Sequence, residues 1–378
     1  VNEDKAARYQ RLRRWASVIS LAWSAGLLVV LVLTGGTRVL RDAAGGLARF
    51  TGVPDSLMPS AVVTLYVFLL SVLHELGSFP IDACGGFALE RRYGLATERF
   101  GRWLRDRAKA SLIGLALGSA GAIITYAALR SSHEWWWVAA AAVFSVAAVT
   151  LTMVGPVVLL PLFYRCEPLE RERLRARLIR LAARAGVPAI GVYEWHLSDR
   201  TRKANAALAG LGATRRILVS DTLLSEYTED EIEVVLAHEV AHHVHGDILK
   251  GTITEVGLTF GAFFLASRAL AHAVPRLGLE DAADVAGLPV LLLAAIVLAV
   301  AVLPVMNALS RAYESRADRF ALDLTGDPAA FTSAMRRLAF QNLAERHPSR
   351  LTRWLFSNHP PIERRLEMAS RWSGASST

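Results

Sequence analysis

Six apolar runs, at residues 15–34, 58–76, 111–129, 138–160, 253–274 and 287–303, constrain this chain more than any other feature of its sequence. A helix of about 20 apolar residues crosses ~30 Å of hydrocarbon, and backbone placed there must satisfy its own N–H and C=O groups. The runs are therefore read as membrane spans. The first follows a basic start (Lys5, Arg8, Arg11, Arg13, Arg14) and is flanked by Trp15 and Gly35-Gly36. It is long for the apolar part of a cleaved leader and has no clear small-x-small site, so it reads as a span that stays. Trp135-Trp136-Trp137 at the edge of the fourth run suits the interfacial belt.

Composition agrees. Of 378 residues 53% are hydrophobic, the net charge is +8, the mean hydropathy is +0.33 and the pI is near 9.9. An apolar average combined with clustered Arg points to membrane spans with basic cytoplasmic loops. Nucleic acid is not indicated as a partner, because the Arg residues collect beside apolar runs rather than in a basic domain carrying a recognition motif. The segment 79–110 holds Arg91, Arg92, Arg99, Arg102, Arg105, Arg107 and Lys109, whereas 35–57 and 130–134 are poorer in Lys and Arg. The charge rule then places residue 1, 79–110 and 164–250 in the cytoplasm, and the acidic link with Glu280, Asp281 and Asp284 outside. The only cysteines, Cys84 and Cys166, form no CxxC, so neither a disulfide framework nor a thiolate metal site is expected.

Residues 164–250 change character. An amphipathic helix over 168–185 ends at Gly186 and Pro188, and strands are expected over 190–195 and 216–220, with a further extended stretch at 203–208. This small sheet precedes the motif that carries chemistry, His238-Glu239-Val240-Ala241-His242. On a helix the two His share one face and can reach one Zn²⁺, with Glu239 beside the open coordination position as general base. Thr228 reads as the N-cap and Glu229-Asp230-Glu231 as an acidic first turn; Ile232, Val235, Leu236 and Val240 keep helical spacing into the motif. His243 lies off the ligand face and His245 a turn further along, so both read as helix-surface residues. His74-Glu75 begins like a second motif but meets Ser78, and reads as polar residues near a membrane boundary or facing a cavity.

A catalytic zinc needs a third protein ligand. Ile248 stands ten residues after His238, so the site must be completed from elsewhere. Past the last run, 310–318 has helical composition and places Glu314 and Asp318 on one face, Glu314 as ligand and Asp318 holding a ligand His by its other ring nitrogen. A solvated helix with Glu314 paired to Arg311 or Arg316 is the plainer alternative, and Glu255 a rival ligand.

At this point the chain resembles the Ste24-type zinc metalloproteases, the type I CAAX prenyl proteases, within a wider peptidase family that includes the bacterial HtpX proteases. The resemblance runs from about Gly94 to Leu366. Besides the zinc motif it takes in Pro161-Leu162-Phe163, Glu167-Pro168-Leu169, Asn205-Ala206, Arg216-Ile217-Leu218-Val219, Asp221-Thr222-Leu223-Leu224, Glu314 with Ala317-Asp318, Trp354-Leu355-Phe356-Ser357, His359-Pro360-Pro361 and Arg365. It implies one Zn²⁺ per chain on His238, His242 and Glu314, with Glu239 as base. It further implies substrate on an Asn205-Ala206 edge strand, and His359 and Arg365 polarising the scissile carbonyl or holding the oxyanion. Six spans are read here where eukaryotic members carry seven, and Gly246-Asp247 looks more like the HtpX branch.

The expected architecture is a mainly α polytopic bundle of about six spans with a cytoplasmic zincin-like domain carrying a small sheet. Its segments are 1–163, 164–250, 251–305 and 306–378. The expected function is cleavage of peptide bonds on the cytoplasmic side, near the C-termini of lipidated or apolar peptides. Membrane-protein quality control is the alternative substrate class, and a non-catalytic zinc scaffold a lesser one. The Ala- and Arg-rich composition points to a bacterial cytoplasmic membrane.

Overall fold

A computed structural model describes residues 2–210 and 215–372. Its membrane part contains α1 (Asn2–Thr34), α2 (Gly36–Phe50) and α3 (Met58–Asp82), which runs through a π turn (Ala83–Ala88) into α4 (Leu89–Arg92). There follow α5 (Phe100–Ser131), α6 (Trp136–Val158) and α7 (Leu160–Phe163). After the catalytic domain, α11 (Asp247–Leu277) and α12 (Leu288–Thr325) return to the membrane. Six helices among the described residues are long and apolar enough to cross, as the apolar runs imply.

These six form a ring in the order α1, α3, α5, α6, α11, α12, and α12 closes back on α1. Among the described residues, helices on opposite sides of the ring are not packed closely against one another. Its buried apolar cluster gathers at one end: Leu28 and Leu31 of α1, Val63 to Leu70 of α3, Ala122 to Leu129 of α5, Trp136 and Ala140 of α6, Leu270 of α11 and Leu288 and Leu291 of α12. Polar side chains plug the same end. The Thr37 hydroxyl is 2.6 Å from both the Tyr66 hydroxyl and the Ala286 carbonyl, and Arg41 pairs at 2.6 Å with Asp284, whose side chain is 1% exposed. At the end nearer the catalytic domain a smaller cluster joins Tyr9 of α1 to Leu89 and Leu95.

Three segments differ from the sequence reading. The stretch 35–57 is not simply a loop, since α2 lays Thr37, Ala44 and Ala48 against its neighbours after a left-handed Gly35 (φ 74°). Most of 79–110 is helix that prolongs the second and third spans beyond the membrane. Finally, the last span and the stretch carrying Glu314 are one helix. The 38 residues of α12 extend about 57 Å at 1.5 Å per residue, far more than hydrocarbon needs, and pass through Pro304 without a break. His74 and Glu75 tie spans together: His74 Nε2 lies 2.9 Å from Ser24 Oγ, and Arg107 reaches Glu75 at 2.8 Å.

The catalytic domain holds β1 (Cys166–Pro168), α8 (Glu172–Arg184), β2 (Gly191–Trp195), β3 (Ala206–Ala209), β4 (Arg216–Ser220), α9 (Asp221–Glu226) and α10 (Glu229–Val244). It is completed by α13 (Pro328–Gln341), α14 (Arg350–Phe356) and α15 (Ile362–Arg371). The sheet order is β1-β2-β4-β3, with β2 and β4 parallel and the outer pairs antiparallel, so β3 is an edge strand. β1 has no apolar run to announce it. Leu174, Leu178 and Leu181 of α8, Ile217 and Val219 of β4 and Ile232, Leu236 and Val240 of α10 share one core with Leu322 of α12, Phe331 and Met335 of α13 and Ala369 of α15. The two-span hairpin therefore interrupts the catalytic domain in sequence without dividing its core.

Candidate active site

Local sequence fixes the helix that carries the site. Thr228 accepts from the Glu231 amide while Glu231 Oε2 accepts from the Thr228 amide, a complete capping box that sets where α10 begins. Ten residues later His238 is 7% exposed, and His242 stands one turn on. Glu314 arrives from α12, also buried. His238 Nε2 lies 3.1 Å from Glu314 Oε2, and His242 Nε2 lies 3.6 Å from Glu314 Oε1.

One ligand atom from each of the three lies within 4.8 Å of the others. Four tetrahedral ligands held about 2.0–2.2 Å from a metal stand roughly 3.3–3.6 Å apart, so the donor spacing fits a single ion. The donor chemistry also fits: two imidazoles and a carboxylate, with no thiolate. Glu255 on α11 is not in the cluster. Nor is Glu314 taken by an arginine, since Arg311 donates to the Arg353 and Ser357 carbonyls and Arg316 reaches Asp247 at 2.6 Å.

Each imidazole meets a carboxylate at its other nitrogen. His238 Nδ1 lies 2.9 Å from Asp318 Oδ1, and His242 Nδ1 lies 3.0 Å from Asp247 Oδ2. Asp318, fully buried, is gripped in turn by the Arg365 fork, with Nε 2.8 Å from Oδ2 and Nη2 on Oδ1. Arg365 also helps to line the adjacent cavity. His359 Nδ1 is 2.7 Å from Glu314 Oε2, on a side chain 55% exposed. Asp247 was missed by sequence reasoning, although an acid five residues after the second motif His, directly after Gly246, was the available signal.

Burial disfavours the charged form of His238, but the acceptor carboxylates of Asp318 and Glu314 beside it outweigh burial and raise its pKa to about 9. A cation bound here competes with a proton for His238. Glu239 is raised above the ordinary carboxylate range by burial, against the pull of the two imidazoles. A carboxylate moved toward neutrality in this way is matched to taking up and returning a proton.

A cavity of about 640 Å³ opens beside these groups. Ala204, Asn205 and Ala206 line it with His238, Glu239, His359 and Arg365, and Gln10, Arg13 and Arg14 of α1 form part of its wall. Asn205 lies just before β3 yet continues its ladder, because its carbonyl accepts from the Ser220 amide at 3.0 Å. The first helix is anchored over the cavity by Gln10 on the Leu343 carbonyl (2.8 Å) and Arg14 on Glu345 (2.5 Å). The other two histidines are not plain surface residues. His243 Nε2 donates to the Leu208 carbonyl at 3.0 Å, and His245 packs edge-on against Phe320.

Fold and site together define a multi-pass membrane metallopeptidase, an enzyme that hydrolyses peptide bonds. Residues 168–373 match the family model for Peptidase family M48, and residues 2–165 match that for the CAAX prenyl protease N-terminal region with five membrane helices. The chain belongs to peptidase family M48. It is 28% identical over 314 residues to the metalloprotease YhfN of Bacillus subtilis, covering 82% of this chain and 74% of that one. It is 26% identical over 306 residues to a CAAX prenyl protease 1 homolog of Arabidopsis thaliana, covering 79% and 72%. The crystal structure of S. mikatae Ste24p shares the fold with a TM-score of 0.86 over 98% of this chain and 89% of that one, at 23% identity.

If Asp247 orients His242 as the geometry indicates, Asp247→Ala weakens metal binding about 10- to 100-fold, and Asp247→Asn, which keeps an acceptor, weakens it less. Competition against a chelating dye measures both. Unchanged affinity in Asp247→Ala would remove Asp247 from the site.

Proposed function

We propose that the chain is a zinc endopeptidase whose active site faces the cytoplasm and which cleaves near the C-termini of lipidated or strongly apolar peptides. The observation that carries this reading is the convergence of His238, His242 and Glu314 at a cavity bounded by Glu239, the β3 edge and the mouth of the helix ring. The three residues would hold one Zn²⁺, which when bound lowers the pKa of water and polarises a carbonyl.

The chain's own groups perform the rest. Glu239 takes the proton of the attacking water and returns it to the leaving amine. His359 and Arg365, both on the cavity wall, stabilise charge developing on the carbonyl oxygen, where donors lower the barrier. Asp318 and Asp247 keep the imidazoles turned toward the metal. The peptide backbone joins the sheet at Asn205-Ala206, a mode of binding that accepts many side chains.

Substrate class rests on the ring. A ring of apolar helices with a cavity beside Glu239 that reaches α1 suits a lipid or apolar segment held among the spans while its peptide end reaches Glu239. Orientation rests on the Arg-rich 79–110 segment and on the need for α10 and Glu314 to lie on one side.

Glu239→Gln is expected to retain zinc while kcat falls about 10²- to 10⁴-fold, because an amide cannot accept the proton. Full turnover in that variant would sink the assignment. For matched peptides with and without a prenyl group, the prenylated one should have the higher kcat/KM. Equal values would favour general proteolysis of membrane proteins.

A further inference from the structure

The strand proposed to receive substrate is obstructed at one end by a histidine adjacent to the metal cluster. In the β3–β4 ladder Ala206 faces Val219 and Ala207 faces Leu218, and the Asn205 carbonyl accepts from the Ser220 amide. Alternation then turns the amide and carbonyl of Asn205 and Ala207 toward β4, and those of Ala206 and Leu208 toward the free edge. Ala206 lies on the cavity wall with His238 and Glu239. The Leu208 carbonyl, the next edge acceptor, is already taken by His243 Nε2 at 3.0 Å. The cavity respects the same limit. It is lined by Ala204, Asn205 and Ala206 but not by Ala207, Leu208 or Ala209, and it continues the other way, toward Gln10 and Arg13 of α1.

We propose that His243 is a specificity-determining stop that confines main-chain pairing of a bound peptide to the Ala206 end of β3, limiting how many residues are read on one side of the scissile bond. The proposal rests on the peptidase reading above and adds a length rule to it. A strand added to a sheet edge lies about 4.7–4.9 Å out, and its bonds to that edge recur every two residues, about 6.6–6.8 Å. The imidazole crosses the first distance to reach the Leu208 carbonyl, so both the acceptor and the space for the second bond are occupied. A peptide residue two positions beyond the one paired with Ala206 finds no acceptor there. Added length on that side therefore brings no main-chain bond.

The test uses the full-length enzyme in detergent and two peptide series with one scissile sequence, lengthened one residue at a time on the N-terminal or the C-terminal side. Zinc content is measured in every variant, because His243 adjoins His242. In the wild type, kcat/KM should level off after about two added residues in one series. In His243→Ala that series should keep rising, by about 2- to 10-fold for the regained hydrogen bond. His243→Gln, whose amide can donate to the same carbonyl, should restore the plateau. Length profiles of one slope in the wild type and His243→Ala, whether at equal activity or uniformly reduced, would overturn the stop and leave His243 a brace between α10 and β3. A wild type that cleaves neither series overturns the peptidase reading and the stop with it.

Discussion

Everything in the catalytic half depends on bringing one carboxylate, Glu314, against two imidazoles that lie 72 and 76 residues earlier in the chain. Buried at neutral pH, these groups are costly unless each is paired or shares a cation. The chain meets that demand with two rigid rods. The capping box fixes the start of α10, and α12 carries Glu314 about 26 residues from its membrane end without interruption, so neither ligand sits on a loop. Asp318, one turn after Glu314, then binds His238, and Arg365 from α15 closes the far side. The same α12 residues that position the ligands lead into Ala321 and Leu322, which are core of the catalytic domain.

Because α12 is also a ring helix, the site is fixed relative to the membrane. The α11–α12 hairpin is where the chain leaves the catalytic domain and returns, and the catalytic core is complete only when residues on both sides of it pack together. On the opposite wall α1 extends past its span, and its Gln10 and Arg14 grip residues 343 and 345. The cavity beside Glu239 is thus bounded partly by catalytic domain and partly by a membrane helix, which couples the proposed chemistry to the spans.

The parts legible in the sequence were those governed by short-range rules. Hydropathy alone placed six spans, turn residues and alternation placed β2 and β4, and the spacing of His238 and His242 placed two of the three clustered donors. What escaped depended on partners distant in sequence. Amphipathic α2 has no apolar run and is defined by what it covers, and three-residue β1 by its pairing with β2. Asp247 stood out only as part of the Gly246-Asp247 pair, and its link to the site comes from the contacts with His242 and Arg316. His243 was judged by its angle on α10, which is correct, but the face it occupies is covered by β3 rather than by water. The order of helices around the ring depends on which spans pack together, a property that periodicity does not encode.

The central claim is that His238, His242 and Glu314 hold a catalytic zinc. X-ray absorption at the zinc edge of the purified enzyme tests it most directly. The account predicts one zinc per chain with a nitrogen and oxygen shell at about 2.0–2.2 Å that includes two imidazoles, and loss of that shell in Glu314→Ala. A sulfur shell near 2.3 Å, or an unchanged spectrum in Glu314→Ala, would contradict it.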